Sequence, residues 1–367
     1  MSVDVVVYCS SLERRCGVGA YAARHAAAEG VSSISNLGQL GHRRPTHLHV
    51  HHEFGIMPLG ELKSVIGYCR RNRAALHVTL HSVYAVPEPL HLWPIRKVAG
   101  IADRLRARVG PRLGVQVTAP DRPPPDFLNG WTWFNRTGLL QARRIVVATR
   151  LILRGADLIV ATTQAAGQAV TRMGGRQVTV IPLGCTQYPT SDHRFSREDG
   201  KLHVGFFGHL ARYKRLLDII AACDRLDDVV LHAFTTVNDI WPEARYLADI
   251  TACASSRPWL RLDLEYHPLE RIVWYLSQCD VNVWYQEPSD IMYASSSIGE
   301  YLAAQRPVVA ADTAVTRDLT GIVQRVDPYD TAALADAIRN GQHQDTSGMR
   351  VYLERHAMQK LNLYRKV

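Results

Sequence analysis

The sequence predicts an α/β protein built from two doubly wound domains. Short runs of β-branched and other apolar residues alternate with longer segments of helical periodicity, which favours parallel sheets covered by helices on both faces. This series runs through the first half of the chain and then begins again in the second half. With 367 residues, of which 47% are hydrophobic, the chain is long enough to form two cores.

Five strands are predicted in the first half, at residues 3–8, 46–52, 76–81, 156–162 and 177–184. One segment interrupts them, because residues 117–138 begin with a cluster of prolines that neither a helix nor a central strand accommodates. We therefore predict a lid or insertion over residues 103–145. Its Trp131 and Trp133 either stack on an acceptor molecule or hold the loop against the domain.

Five more strands are predicted in the second half, at residues 201–208, 228–234, 260–267, 280–285 and 306–311. The segment between the two series contains proline, serine, aspartate and glycine, as a linker does. We therefore expect an N-terminal domain over residues 1–184 and a C-terminal domain over residues 185–348. Residues 349–367 have helical spacing with basic residues late, which predicts a C-terminal helix that could pack back on the N-terminal domain.

The formal net charge of +9 suits an anionic partner. Nucleic acid is disfavoured because no combined aromatic and basic recognition sequence is present. A phosphorylated small molecule and peripheral association with an anionic membrane both stay open.

The cysteines and the apolar runs bear on the cellular location. Seven scattered cysteines, none paired as CxxC, indicate neither a disulfide framework nor a zinc site. No apolar run approaches the length of a membrane span, and the opening residues lack the zones of a signal peptide. We expect a cytoplasmic protein, with the inner face of the membrane as an alternative location.

The first candidate anion site lies in residues 205–222. A predicted strand ends at Gly208, a short loop follows, and an amphipathic helix comes next. The loop presents His209, Arg212 and Lys214, so that cations and free helix N–H groups face the same point. When this segment is taken alone, a lysine in solvent is the favoured explanation, because surface lysines are common.

The second candidate anion site precedes another helix. Ser295, Ser296 and Ser297 stand at its start, where hydroxyl and backbone N–H groups can hold phosphate oxygens or simply cap the helix. Glu300, one turn later, can accept hydrogen bonds from vicinal hydroxyls such as those of a ribose. Taken together, the two sites predict that the domain binds a nucleotide diphosphate.

These segments resemble glycosyltransferase family 4. GFFGHLARYKRLLDIIAAC (205–223) is similar to the glycine-rich loop and lysine of that family, and GEYLAAQRPVVAAD (299–312) to its glutamate helix and following strand. In the first half, RRCGVGAYAARHAAA (14–28) resembles the acceptor-side glycine loop, here with Gly17 and Gly19. LHVHHEFGI (48–56) resembles a variant of the second motif, and VTLHSVYAVPEP (78–89) a strand that ends in histidine. The likeness covers most of the chain outside residues 103–145 and those after about 330.

The resemblance implies a GT-B fold, in which two Rossmann-like domains face each other across a cleft. The nucleotide sugar would bind the C-terminal domain and the hydroxyl acceptor the N-terminal one. Transfer would retain the anomeric configuration without a metal or other cofactor, and UDP-sugars are the commonest donors. Lys214 would neutralise the departing diphosphate, Glu300 would hold the ribose, and His81 would orient or polarise the reacting groups.

The sequence departs from the family pattern at two donor-side positions. Met292 stands where the first glutamate of the paired motif belongs, so Glu287 or Asp290 would replace it, or the backbone and the serines would hold the sugar. His209 stands where arginine is commoner, and Arg212 could compensate. By analogy, YHPLE (266–270) is the loop that reads the base, with His267 and Leu269 closest to it.

On the acceptor side, the sequence HHEFG supplies His51, His52 and Glu53 at a strand end. Its spacing differs from the HExxH of zinc enzymes, which favours an acceptor pocket over a metal site. A glycan, a lipid-linked acceptor and a small metabolite all stay open as acceptors.

Three other functions fit parts of the sequence. GVGAYA (17–22) fits the glycine pattern of nicotinamide enzymes, but no acidic residue ends the second predicted strand where a ribose would need it. A sugar-nucleotide epimerase or phosphorylase with a GT-B body is an alternative. Met292 makes a non-catalytic subunit that binds sugar nucleotides a further alternative.

Overall fold

The computed structural model describes residues 4–13, 17–84, 139–182, 197, 200–237, 243–288, 291–293, 296–341, 343, 345–347 and 349. Several predictions lie outside these residues: Trp131 and Trp133 with most of the predicted insertion, the boundary near residue 184, Asp290, Ser295 and the C-terminal helix beyond Met349. The backbone of Met292 and Ser296 is described, but their side chains are not.

A six-stranded parallel sheet forms the centre of the first domain. Its strands are β1 (Val5–Tyr8), β2 (Ser32–Ile34), β3 (His47–His52), β4 (Ala75–Leu80), β6 (Leu158–Ala161) and β7 (Val178–Val180), in the order β2-β1-β3-β4-β6-β7. A short strand β5 (Ser82–Tyr84) follows β4 outside this sheet. The central strands β1, β3 and β4 are buried on both faces, as a parallel sheet between helices requires. Strand β1 is apolar throughout, whereas β3 and β4 also contain buried histidines.

Four described helices cover this sheet: α1 (Gly17–Glu29), α2 (Leu59–Asn72), α3 (Leu139–Gly155) and α4 (Gln164–Arg172). Helix α4 begins where the side chain of Thr163 accepts a hydrogen bond from the backbone N–H of Ala166 at 3.1 Å. Helix α1 packs closely on the preceding loop, because a Cβ on Gly19 would collide with the backbone carbonyl of Ser11. Only glycine, which has no Cβ, fits at this position.

A second six-stranded parallel sheet forms the centre of the C-terminal domain. Its strands are β8 (Leu202–Leu210), β9 (Val229–Val237), β10 (Leu260–Asp263), β11 (Val281–Trp284), β13 (Val308–Ala311) and β14 (Gln324–Val326), in the order β10-β9-β8-β11-β13-β14. The described helices around it are α5 (Leu216–Cys223), α6 (Ala244–Ser256), α7 (Leu269–Ser277), α8 (Ser296–Ala303) and α9 (Thr331–Gly341). The structure thus confirms the two doubly wound domains.

The two domains also meet through a pair of short strands. Strand β12 (Ile291–Tyr293) pairs antiparallel with β5, which places Met292 opposite Val83. Neither β5 nor β12 is among the strands predicted from the sequence. The backbone at the position of the missing glutamate therefore lies against the segment that follows His81.

The strand order reverses once in each parallel sheet. The reversal lies between β1 and β3 in the first sheet and between β8 and β11 in the second. Ligands of doubly wound proteins bind at the carboxyl ends of the strands beside such a reversal. These two points are where the candidate site residues are found.

Candidate functional site

Lys214 and Ser297 meet at the reversal point of the second sheet. Lys214 ends the 3₁₀ turn Arg212–Lys214 that follows β8, and Ser297 lies in the first turn of α8. The Lys214 Nζ donates a hydrogen bond to the Ser297 Oγ at 3.3 Å, and the Trp284 Nε1, at the end of β11, donates to the same oxygen at 3.1 Å. All three residues are buried, so the ammonium group lies in a site of low dielectric constant.

Burial changes the acid–base behaviour of Lys214. Desolvation lowers the pKa of Lys214 to about 7, although the negative charge of Glu300 opposes this shift. An anionic ligand beside the Nζ would favour the charged form of the lysine. The site can therefore take up a proton when an anion binds.

Glu300 is buried one turn into α8, close to Lys214. Desolvation raises the pKa of Glu300 to about 7, while the charges of Arg24 and Lys214 lower it. Arg24 belongs to α1 in the other domain, and its guanidinium lies 3.8 Å from the Glu300 Oε1. A residue of the N-terminal domain thus reaches the predicted ribose-binding carboxylate.

Gly208 and His209 flank the lysine on β8. A Cβ on Gly208 would lie 3.5 Å from the Lys214 Cε, so the glycine leaves the lysine stem directly against the strand. The His209 Nδ1 lies 3.3 Å from the Thr236 Oγ1. Desolvation and the charge of Lys214 both lower the pKa of His209, so this imidazole tends to be neutral.

Arg212 and Glu287 have other contacts in this structure. The Arg212 guanidinium pairs with Glu243 at 3.5 Å and with Asp249 at 3.9 Å, both beside or within α6. Glu287 is exposed, and its backbone N–H donates to the Tyr213 carbonyl at 2.8 Å. Their predicted roles in holding the donor stay predictions.

The predicted base-reading loop follows β10. The buried His267 Nε2 lies 2.7 Å from the Asp263 Oδ2, and its ring meets Tyr275 edge-on at 5.6 Å. Leu269 begins α7 directly after this loop. A groove of about 600 Å³, lined in part by Asp263, Tyr275 and Phe234, lies beside it.

His52 and Glu53 lie where β3 ends in the first domain. Burial lowers the pKa of His52 to about 4, and its Nδ1 is 3.4 Å from the Met57 Sδ. Its Nε2 is buried without a hydrogen-bond partner among the described residues. Burial raises the pKa of Glu53, whose Oε2 accepts a hydrogen bond from the Ser82 Oγ at 2.5 Å.

His81 follows β4 and is buried against other histidines. Its Nε2 lies 3.0 Å from the Nδ1 of His51 on β3, and the Nε2 of His51 lies 2.9 Å from the Nδ1 of His25 on α1. The sequence did not single out His25 or Arg24, whereas His51 belongs to the HHEFG cluster for which an acceptor pocket is predicted. The spacing on α1 could have indicated Arg24 and His25. These two follow Tyr21 by three and four residues, so all three side chains lie on one face of the helix.

Gly17 and Gly19 begin α1, which carries these contacts. Gly17 is exposed at the first position of the helix, whereas Gly19 is buried against Ser11. Gly19 thereby allows the close approach of α1 to the loop that contains Ser11. Their predicted contact with an acceptor stays a prediction.

Two groups of side chains have atoms close enough to share a metal ion, in the part of the chain that the structure describes. Within each group the potential ligand atoms lie within 4.8 Å of one another; the groups are His25, His49 and His51, and Asp263, Glu265 and His267. Each group already contains a direct hydrogen-bond distance, at 2.9 Å between His25 and His51 and at 2.7 Å between Asp263 and His267. In each group, two of the three residues are thus already in direct contact.

Comparisons with known proteins bear on the fold. No protein-family model and no curated protein sequence matches the chain. The solved structure of HepE from Anabaena with UDP-glucose matches with a TM-score of 0.62 and 13% identity over 100% of both chains. Sucrose-phosphate synthase from Thermosynechococcus elongatus matches with a TM-score of 0.60 and 15% identity over 100% of this chain and 99% of its own.

The match to a third solved structure covers a smaller share of that protein's length. Trehalose 6-phosphate synthase from Burkholderia multivorans matches with a TM-score of 0.54 and 15% identity over 93% of this chain and 72% of its own. These neighbours are GT-B glycosyltransferases, and at such identities they establish the fold. The chain has the GT-B fold, two Rossmann-like domains that face each other across a cleft. Among its described helices, none combines the length and the apolar character that crossing a membrane requires.

Proposed function

We propose that this chain is a retaining, metal-independent glycosyltransferase of the family 4 type that uses a nucleoside diphosphate sugar. The observation that carries this proposal is the buried Lys214 beside Ser297 and Glu300, at the strand-order reversal of the C-terminal sheet. Structures of the neighbour HepE contain UDP-glucose, or UDP and glucose, which favours a UDP-hexose as the donor.

The diphosphate is the leaving group of the proposed reaction. When the bond from the anomeric carbon to the diphosphate oxygen breaks, negative charge develops on that oxygen. A protonated Lys214 and the N–H groups at the start of α8 would stabilise this charge, strongly so because the ammonium is buried. This chemistry supplies the role that a divalent cation plays in other transferases.

Glu300 would bind the ribose of the donor. Its carboxylate accepts hydrogen bonds from vicinal hydroxyls, and its place one turn after Ser297 puts it beside the proposed diphosphate position. Met292 removes the other motif carboxylate, so the sugar would be held by Glu287, by Asp290, or by the backbone and the serines.

The acceptor would bind on the first domain, near His81, His52 and Glu53. Its hydroxyl oxygen forms the new bond to the anomeric carbon on the face from which the diphosphate leaves, and its proton passes to a diphosphate oxygen. His81 would orient the reacting groups. The net charge of +9 would also suit a lipid-linked acceptor at the inner face of an anionic membrane.

Calorimetric titration with UDP, GDP, ADP and CMP, each with and without magnesium, tests this proposal. We expect one diphosphate to bind selectively and independently of magnesium. Binding should be lost in Lys214→Ala and Glu300→Ala and kept in Lys63→Ala, which removes an exposed lysine of α2. If the wild-type protein binds none of the four nucleotides, the proposal is wrong.

Product analysis separates transfer from its alternatives. Incubation with UDP-glucose and an acceptor should give UDP and a glycoside with retained configuration. An isomerised sugar nucleotide would indicate an epimerase, and a sugar phosphate a phosphorylase. Tight donor binding without any product would indicate the non-catalytic subunit that Met292 suggests.

A further inference from the structure

Three buried histidines form a continuous chain of ring contacts between the interior and the cleft side of the first domain. His25 on α1, His51 on β3 and His81 after β4 are each no more than 5% exposed. The Nδ1 of His25 lies 2.9 Å from the Nε2 of His51, and the Nδ1 of His51 lies 3.0 Å from the Nε2 of His81. Both nitrogens of His51 therefore have a neighbouring imidazole as partner.

The chemistry of imidazole links the three rings. A neutral imidazole has one N–H donor and one acceptor nitrogen. His51 must then donate at one end of the chain and accept at the other, so both hydrogen bonds run in the same direction. The position of the proton on His81 is thereby tied to the position of the proton on His25.

Neighbouring rings fix the orientation of this chain. Tyr21 meets His51 edge-on at 5.5 Å and His81 edge-on at 5.4 Å. His49 stacks on His51 at 5.1 Å, and its Nε2 lies 2.7 Å from the Thr79 Oγ1. Burial and the neighbouring histidines hold the pKa of His49 well below its usual value, so a neutral ring lies against the chain.

We propose that the chain His25–His51–His81 positions His81 for the transfer reaction. His51 holds the Nε2 of His81, and His25 orients His51 by holding its other nitrogen. His25 and His51 are thus positioning residues, since they act through His81. This inference rests on the proposed function for the task of His81 and on the ring contacts for the chain itself.

Two substitutions of His51 separate the two halves of the chain. The amide of asparagine occupies the place of the histidine Nδ1, whereas the amide of glutamine reaches the place of the Nε2. His51→Asn should keep the bond to His81 and lose the bond to His25. His51→Gln should do the reverse. His77→Gln serves as the control, because His77 is a buried histidine on β4 outside the three-ring chain.

The first readout is the ¹⁵N NMR spectrum of the histidine rings, with signals assigned by single substitutions of His25 and His81. In His51→Asn the shift of the His25 Nδ1 should change while that of the His81 Nε2 stays near its wild-type value. In His51→Gln the two responses should be exchanged. If both ¹⁵N shifts change equally in the two variants, or if neither changes, the proposed chain of three histidines is wrong. Stoichiometric zinc in the purified protein that is lost on replacing His49 would also overturn it, because a metal-bound nitrogen has no proton to share.

The second readout is the release of UDP from UDP-glucose. His51→Asn should lower kcat about threefold, because residue 51 is no longer oriented by His25, whereas His51→Gln should lower kcat by at least about tenfold with an unchanged KM for UDP-glucose. If both variants lose kcat equally and lose thermal stability to the same extent, the histidines serve only to pack the core and do not position His81. A wild-type protein that neither binds nor turns over UDP-glucose would refute the proposed function, whereas intact turnover with no reciprocal NMR pattern would refute only the chain.

Discussion

Raising the pH from 6.5 to 8.5 should weaken the binding of UDP-glucose through the loss of the Lys214 proton. Burial lowers the pKa of Lys214 to about 7, so the ammonium becomes a neutral amine within this range. The two phosphates of UDP-glucose do not ionise there, so the donor keeps its charge. Protonated Lys214 attracts the diphosphate and the neutral amine does not, so affinity must fall as the pH rises.

The size of this loss follows from the fraction of protonated lysine. With a pKa of about 7, that fraction falls from about 0.8 at pH 6.5 to about 0.03 at pH 8.5, so the apparent Kd should rise about 25-fold if only the charged form binds. Glu300 also ionises near pH 7. The new negative charge on Glu300 strengthens its hydrogen bonds to the ribose but repels the diphosphate. These two effects oppose each other, so the expected rise in Kd is set by Lys214.

Calorimetric titration of UDP-glucose at four pH values measures this loss, with Lys214→Arg as the matched variant. A guanidinium stays charged throughout the range, so residue 214 no longer loses its proton in this variant and the pH dependence that it causes should disappear. The variant should bind with little dependence on pH. A flat profile in the wild type, or the same slope in Lys214→Arg, would contradict the reasoning.

Three further predictions concern the free energy of unfolding, measured with urea. Lys214→Met should stabilise the fold at pH 7 by a few kcal/mol. The unfolded lysine keeps its proton up to its ordinary pKa of 10.5 and the folded one only up to about 7, so wild-type stability should rise between these pH values and that of the variant should not. Ser297→Ala should cost about 1–3 kcal/mol, because the buried Trp284 Nε1 loses its acceptor; adding Trp284→Phe should then cost less than it does in the wild type. Gly19→Ala should destabilise by about 1–3 kcal/mol through its clash with the backbone, whereas Gly60→Ala, in open space on α2, should stabilise by about 0.4–1 kcal/mol. Equal effects at the two glycines would argue against the close approach of α1.

Strands such as β1 and β13 were predictable because every residue is apolar and buried on one face or the other, so the pattern is continuous. Strand β3 was predicted as well, although Leu48 and Val50 are its only apolar residues. The edge strands β2 and β14 were missed because each has three residues, SSI and QRV, and only one apolar side chain. The pairing of β5 with β12 joins segments about 200 residues apart and leaves no periodic signal in either.

The site was predictable where its residues follow one strand or begin one helix. Lys214 and Ser297 could be placed because the carboxyl ends of neighbouring parallel strands lie at the same edge of a sheet. The contact of Arg24 with Glu300 could not be predicted, because it depends on how two separate domains meet. The same is true of His25 and His51, whose roles depend on the distance between α1 and β3.

Helix α1 connects the two halves of the proposed active site. Tyr21 and His25 face the histidines that lead to His81, while the adjacent Arg24 reaches Glu300 in the other domain. The Arg24 guanidinium is partly exposed, whereas the Glu300 carboxylate is buried. The charge of Arg24 lowers the pKa of Glu300, but desolvation has the larger effect and leaves that pKa raised to about 7. A change in the distance between the domains would therefore alter the ionisation of Glu300 at neutral pH, before any bond to a donor has formed.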